Sequence, residues 1–265
     1  MTFIAYFIIY SFAGWILESL YKTILQKKFV NSGFLIGPFC PIYGFGAVIM
    51  LLTLNFLKEK PALVFIAAFF ILSIWEYIVG VLLEKIFKTK YWDYSHLKFN
   101  INGRVCLKNS IYWGLLGVAF ICYIHPITEG YILQIPSDLL NYIVIILGIA
   151  ILIDLFVSVK VVVNFETMVR KINDLGESIK DKIKELKELT SKNKTKVINI
   201  EKENVEKVIQ ELKTKQSRLK TKIYKQANRL KKAFPSMQSE MISNFLSQKI
   251  EITKRKEKIK KKNKE

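Results

Sequence analysis

The sequence predicts an all-α protein: a polytopic membrane helix bundle of about five transmembrane helices, followed by a cytoplasmic helical coiled-coil tail. Three observations carry that prediction. The 265-residue chain is 51% hydrophobic and yet bears a net charge of +19. These two properties separate near Asn164, with 12 Lys/Arg against 8 Asp/Glu before that point and 29 against 14 after it. Apolar residues run on for the length of a bilayer crossing in the first part, whereas in the second they recur every three or four positions. The expected division is a transmembrane domain at 1–164, cytoplasmic coiled-coil helices at 165–234, and a short amphipathic helix with a basic, disordered terminus at 235–265.

A bilayer core of about 30 Å needs about 20 helical residues. On that ruler the spans are expected at 3–24, 34–57, 62–83, 110–124 and 139–163. The first reads as an uncleaved span, because no Lys or Arg precedes it and no small-residue cleavage site follows. The entry to the second, GFLIGPFCPIYGFGA, holds Gly33, Gly37, Pro38, Pro41, Gly44 and Gly46. Such a density of helix breakers fits a broken or re-entrant start, and equally a loop followed by a helix packed closely through Gly44 and Gly46. In the third, Glu76, Gly80 and Glu84 fall four apart, so a helix places them nearly on one stripe with room for a neighbour at the glycine. The fourth is short, and His125-Pro126 is expected to end it, leaving His125, Glu129 and Asp138 as ordinary loop residues. The fifth carries Asp154 and Lys160.

Basic residues in the short loops set orientation. Lys22, Lys27 and Lys28 flank the first loop, and Lys85, Lys88, Lys90, Lys98, Arg104 and Lys108 crowd the third. The second has Lys58 and Lys60, and the fourth has none. This alternation places the N-terminus outside and the tail in the cytoplasm, with the chain multi-pass. Glu18, Asn31, Cys40, Glu76, Glu84, Asp93, Asn102, Arg104 and Asp154 then all belong to the cytoplasmic half. Carboxylates within apolar spans are costly and mark functional sites by default. The expectation is one inward-facing polar cavity of substrate-binding residues, with Arg104 partnering Glu84 or Asp93. Tyr91, Trp92 and Tyr94 fit an interfacial aromatic belt, or, with Asp93, Asn100, Asn102 and Arg104 between them, a loop that caps the cavity.

Beyond Asn164, Met168, Ile172, Leu175, Ile179, Ile183 and Leu186 form one heptad-like arm, and Val205, Ile209, Leu212, Gln216, Leu219 and Ile223 a second. The stretch TSKNKTK at 190–196 separates them, and Pro235 ends the second. Met237, Met241, Phe245 and Leu246 are expected on one side of a short helix. The lysine-rich tail fits anionic lipid at the inner leaflet. It carries few aromatics (Phe165, Tyr224, Phe234, Phe245), which disfavours nucleic acid as a partner.

Several chemistries lack their residues. The three cysteines, Cys40, Cys106 and Cys122, have no CxxC spacing and are too few for a disulfide framework. No ligand pair at a recognised spacing points to a metal, and no cofactor is expected. A GxxxxGK[ST] loop is missing, so ATP hydrolysis by P-loop chemistry is not this chain's own. The chain is expected not to be an enzyme. The alternative is a small lipid-headgroup enzyme using Asp93, His96 and Cys106, with His96 as the histidine in reach of a cysteine nucleophile.

GWILE at 14–18, NSGFLIGPFCPIYGFGA at 31–47, WEYIVGVLLEKIF at 75–87, YWDYS at 91–95 and FNINGRVCLKNSIYWG at 99–114 resemble the bacterial family called putative ABC-transporter type IV, the CmpB-like permeases. AFPSMQS at 233–239 resembles that family's ending. Ser32 stands where Arg is expected, and Tyr91 where Trp is more usual. The resemblance implies a transporter permease subunit, multi-pass in the lipid bilayer of a bacterial inner membrane. Five spans are few for a transporter acting alone, so the implied partners are a separate ATPase subunit and further copies of this chain. A membrane scaffold recruiting cytoplasmic partners through the tail is the alternative from another class.

Overall fold

The computed structural model describes residues 1–191, 196–239 and 242–247. Part of the expected break between the tail arms (192–195), Met241 and the basic terminus 254–265 lie outside the described residues. The chain forms two compact units: Met1–Lys160 with Arg229–Ser239, and residues 161–228 with the described residues 242–247. The first break falls four residues before the expected boundary at 164, and the second before the expected one at 234. The segment 229–239 belongs with the membrane helices, not with the tail.

Four helical stretches of the first unit are long and apolar enough to cross a membrane: α1 (Thr2–Gln26), α3 (Pro61–Phe87), the stretch Leu107–Ile132, and α6 (Ser137–Val163). A fifth apolar helix, α2 (Pro41–Leu54), is lengthened by a 3₁₀ turn, Asn55–Leu57, and still falls short of that length. Of the two openings left for this region, the structure takes the loop followed by a closely packed helix. Residues 27–40 are non-helical, with Gly33 at φ +93°. Pro41 then starts α2 at a position where its missing N–H costs nothing.

Close backbone approach explains the pairing of these helices. A Cβ on Gly44 would press on the Phe7 carbonyl, so α2 lies directly against α1. A Cβ on Gly117 would collide with the methyl of Ala68, which brings α4 (Leu107–Val118) against α3. Small residues at helix interfaces have this role where lipid removes the hydrophobic drive to associate. Around these contacts Tyr6, Tyr10, Met50, Leu54, Ala68 and Phe120 form the main core, while Ala5, Ile8, Leu35, Val144 and Ile151 join α1, the first loop and α6. The outward faces stay apolar, with Phe70, Ile74, Ile78 and Leu82 of α3 and Ile149, Leu152 and Phe156 of α6 exposed. That is the surface a bilayer requires.

The fourth helical stretch corrects an expectation. It does not end at His125-Pro126 but runs from α4 through a π-helical turn, Ala119–Ile124, into α5 (His125–Ile132). The His125 N–H reaches back five residues to the Phe120 carbonyl. A π turn widens the helix locally, so the ring of Pro126, which lacks an N–H and would crowd a regular turn, is accommodated. His125 is consequently a buried residue of the bundle, 3% exposed, and not a loop residue.

Between α3 and α4 a two-residue antiparallel pair, β1 (Asn100–Ile101) with β2 (Val105–Cys106), forms a hairpin. Its turn places Asn102 and Gly103 at positive φ and closes with the Arg104 N–H on the Ile101 carbonyl. Asn-Gly is the sequence that tolerates this geometry best.

The second unit contains α7 (Phe165–Ser191) and most of α8 (Lys196–Ala233). Ile172 and Ile179 of α7 and Val205, Ile209 and Ile223 of α8 are buried. The Gln216 amide donates to the Ile172 carbonyl at 3.0 Å. The stripe expected from Met237 to Leu246 is divided, since Met237 is buried in the first unit, while the Phe245 ring meets Phe165 in the second.

Candidate functional site

α1, α3 and α6 run in one direction, so their C-terminal ends, the first loop (27–40) and the loop between α3 and α4 share one end of the first unit. The polar residues singled out in the sequence lie there, in four groups.

The first group surrounds the end of α1. Glu18 pairs with Lys22 at 3.0 Å and accepts from the Cys40 thiol at 3.7 Å. Asn31 accepts from the Trp15 indole at 2.7 Å and donates to the Ile36 carbonyl at 2.7 Å. Its role is to hold the first loop onto α1. Cys40 is buried at 2% exposure, and its backbone N–H bonds the Ser11 carbonyl.

The second group is a clamp on the first loop. Asp154 of α6 accepts from the backbone N–H groups of Ile36 (3.0 Å) and Gly37 (2.7 Å) and from the Ser158 hydroxyl (3.1 Å). Opposite charge comes from Arg229, whose guanidinium donates to the carbonyls of Gly33 (3.3 Å), Phe34 (3.0 Å) and Leu35 (2.7 Å). Burial pulls the Arg229 pKa down and the charge of Asp154 partly offsets that. A loop of irregular backbone packed into the bundle needs its donors and acceptors met, and these two side chains meet five of them.

The third group centres on Glu76, 4% exposed. It accepts from the Trp113 indole at 2.9 Å and the Tyr94 hydroxyl at 3.3 Å. Burial, with the charge of Glu76 beside it, pushes the Tyr94 pKa upward, so the hydroxyl remains a donor. Beside Glu76 is a cavity of about 30 Å³ lined by Tyr43, Gly46, Met50, Leu72, Trp75 and Trp113, among others. Of the predicted site residues Glu76 alone lines it.

The fourth group is the loop itself. Arg104 donates to Glu84 through Nη2 at 2.8 Å and Nε at 3.2 Å. Its aliphatic stem and the Trp92 ring lie over Gly80 within 3.5 Å of where a Cβ would be, so the gap that Gly80 leaves is filled by side chains of the loop. Asn102 donates to the Tyr77 hydroxyl at 3.0 Å. Asp93 accepts from the Ser95 hydroxyl (2.6 Å), from Lys90 (3.5 Å) and from Gln238 (2.6 Å). The Ser95 hydroxyl, more than any other neighbour, holds the Asp93 carboxyl below the usual carboxylate range.

Here the aromatic belt must be corrected. Tyr91 is 3% exposed and packs edge-on to Phe34 and Phe234, Trp92 donates to the Arg104 carbonyl, and Tyr94 serves Glu76. Tyr91 is thus buried, and Trp92 and Tyr94 are half-buried parts of a folded loop.

Sequence reasoning missed the return segment. Gln238 pairs with the Lys90 backbone, Ser236 accepts from the Asp93 N–H at 3.3 Å, Phe234 lies under Lys22, and Lys22 also donates to the Ala233 carbonyl. The resemblance of 233–239 to a family ending was the signal available. Also missed was the pair of Tyr10 and His125, joined at 2.9 Å within the bundle. No hydrogen bond among the described residues joins Asp93, His96 and Cys106, and Cys106 is buried. Likewise, among the described residues no group of three or more His, Cys, Asp or Glu is placed to hold a metal ion.

Over residues 5–159 the chain matches the family model described as Putative ABC-transporter type IV. No curated protein and no solved structure matches it.

Proposed function

Because the chain belongs to the putative ABC-transporter type IV family, we propose that it is the membrane-spanning permease subunit of an ABC-type transporter, powered by a separate ATPase and working as a homo-oligomer. The observation that supports this most is the burial of Glu76 inside an apolar bundle, directly beneath a folded polar loop. An acid in that position is expensive and carries a functional presumption. In this reading the polar end faces the cytoplasm of a bacterial cell, as the lysines of the first and third loops favour. Glu76 lies at the base of the inward path, and Glu84, Asp93, Asn102 and Arg104 form its lip. The Lys-rich helices α7 and α8 rest against anionic lipid and pair as a coiled coil.

The test is affinity purification from membranes, followed by reconstitution with whatever ATPase accompanies the chain. ATPase turnover that rises with a transported solute and falls in Glu76→Gln is expected. Vesicles that move no solute, alone or with any co-purifying ATPase, refute the reading.

One observation favours a scaffold instead: residues 161–228 leave the membrane unit and return to it, which suits a platform for partner proteins. The two readings part under an internal deletion of 161–228 replaced by a long Gly/Ser linker, with Arg229–Ser239 kept. A permease retains solute movement. A scaffold loses its function even though Glu76→Gln leaves it intact. The lipid-headgroup enzyme has less support, because Asp93, His96 and Cys106 are not joined.

A further inference from the structure

The geometry around Glu76 points to a binding site for a small ammonium-type cation, ammonium itself or methylammonium. This deepens the permease reading by naming a substrate class, and takes from it only the site's location.

The argument starts from charge. Glu76 is enclosed, and its hydrogen-bond partners Trp113, Tyr94 and Asn109 are all neutral. The ion pairs among the described residues leave it without a cationic partner, and the other ionisable acid acting on it is Glu18, of the same sign. A buried carboxylate in such company calls for a positive guest. The lining then decides which kind. Hard cations such as Na⁺, K⁺ or Mg²⁺ require several oxygen ligands, but this cavity is walled by Met50, Leu72 and three aromatic side chains, Tyr43, Trp75 and Trp113. Tyr43 and Trp113 stand 5.8 Å apart, centroid to centroid. Aromatic rings in the wall of a cavity beside a buried acid suit an ammonium, which takes cation–π contacts in place of lost hydration. Size supplies the limit. About 30 Å³ holds about two water-sized groups, on the scale of roughly 10–15 Å³ for one. That admits ammonium or methylammonium and rejects choline.

The walls are also the reporter. The full chain in detergent micelles is titrated with ammonium chloride and methylammonium chloride at constant ionic strength, following tryptophan fluorescence. NaCl, KCl and choline chloride serve as comparisons. A saturable response to methylammonium is expected, at least tenfold weaker in Glu76→Gln and unchanged in Lys58→Gln, with none to Na⁺ or choline. The inference is overturned if the folded wild-type chain gives no saturable response to either ammonium, if Na⁺ or choline produces the same one, or if Glu76→Gln leaves it intact. Should Glu76→Gln fail to fold, Trp75→Leu provides the second test: methylammonium binding must weaken about tenfold, and unaltered binding overturns the inference. No ATPase is present in this titration. Binding without transport in the reconstituted system would sink the permease reading alone, whereas transport without ammonium binding would sink the cation site alone.

Discussion

Asp154→Ala tests whether the first loop is held by charge. In the wild type, the two carboxylate oxygens take the N–H groups of Ile36 and Gly37 at 3.0 and 2.7 Å. Alanine leaves both half-buried donors without that partner, and an orphaned donor costs about 1–3 kcal/mol when fully buried. It also takes the charge of Asp154 away from Arg229, whose pKa burial already lowers. The two donors together cost at most about 2–6 kcal/mol. At about 1.4 kcal/mol per tenfold, a loss of about 2 kcal/mol lets the loop open roughly 30-fold more often. Cys40 reports that opening, since its thiol is buried under Gly33 and its N–H is tied to Ser11. Maleimide labelling of the chain in detergent, with the labelled cysteine located by mass spectrometry, should show Cys40 reacting at least tenfold faster in Asp154→Ala, while Cys106 stays slow. Asp154→Asn keeps one acceptor and should fall between. If Cys40 labels at the wild-type rate in Asp154→Ala, Asp154 does not hold the loop, and the charge argument is wrong.

Other consequences follow from the second loop. Arg104→Lys keeps the charge near Glu84 but loses the fork and the cover over Gly80. Because the pair is partly exposed, its ionic part is worth at most about 1 kcal/mol, and a thermal melt should show Arg104→Ala losing more stability than Glu84→Gln. Gly103→Ala introduces a side chain at φ +69° and against Asp93. The backbone strain alone costs about 1–2 kcal/mol, and hydrogen exchange should accelerate across 93–106. Asp93 gives a pH dependence. Its folded pKa lies below the unfolded value of about 3.9, so its stabilisation is fully present above that value and is lost as pH falls through the folded pKa. Limited proteolysis of the loop should rise below about pH 4 in the wild type, and Asp93→Asn should flatten that rise.

Apolar runs made the helices legible, because a bilayer imposes length and hydrophobicity together. The polar chemistry was legible to the extent that it was local. Glu76 and Glu84 share a helix, and Arg104 lies twenty residues beyond Glu84, across one loop. Asn102-Gly103 was itself a hairpin signal embedded in FNINGRVC. What periodicity could not supply was long-range closure. Nothing in the spacing of Arg229 distinguishes it from the other basic residues of an amphipathic helix, yet it caps a loop nearly two hundred positions earlier. His125 failed for a different reason: Pro126 normally stops a helix, and a π turn, which has no sequence rule of comparable strength, carried the helix past it.

The return segment changes what the tail means. Arg229 satisfies carbonyls of the first loop, while Ser236 and Gln238 engage Asp93 in the loop between α3 and α4. The same short stretch therefore braces both irregular segments at the polar end, and each depends on it for hydrogen bonds that lipid cannot replace. Chain topology then makes residues 161–228 an insertion between two parts of one folded unit, not an appendage hanging from its end. Truncation after Asn164 would remove Arg229, Ser236 and Gln238 together with the helices. Loss of function in such a truncation would reflect a collapsed membrane unit as readily as a missing partner surface, which is why the internal deletion is the informative one.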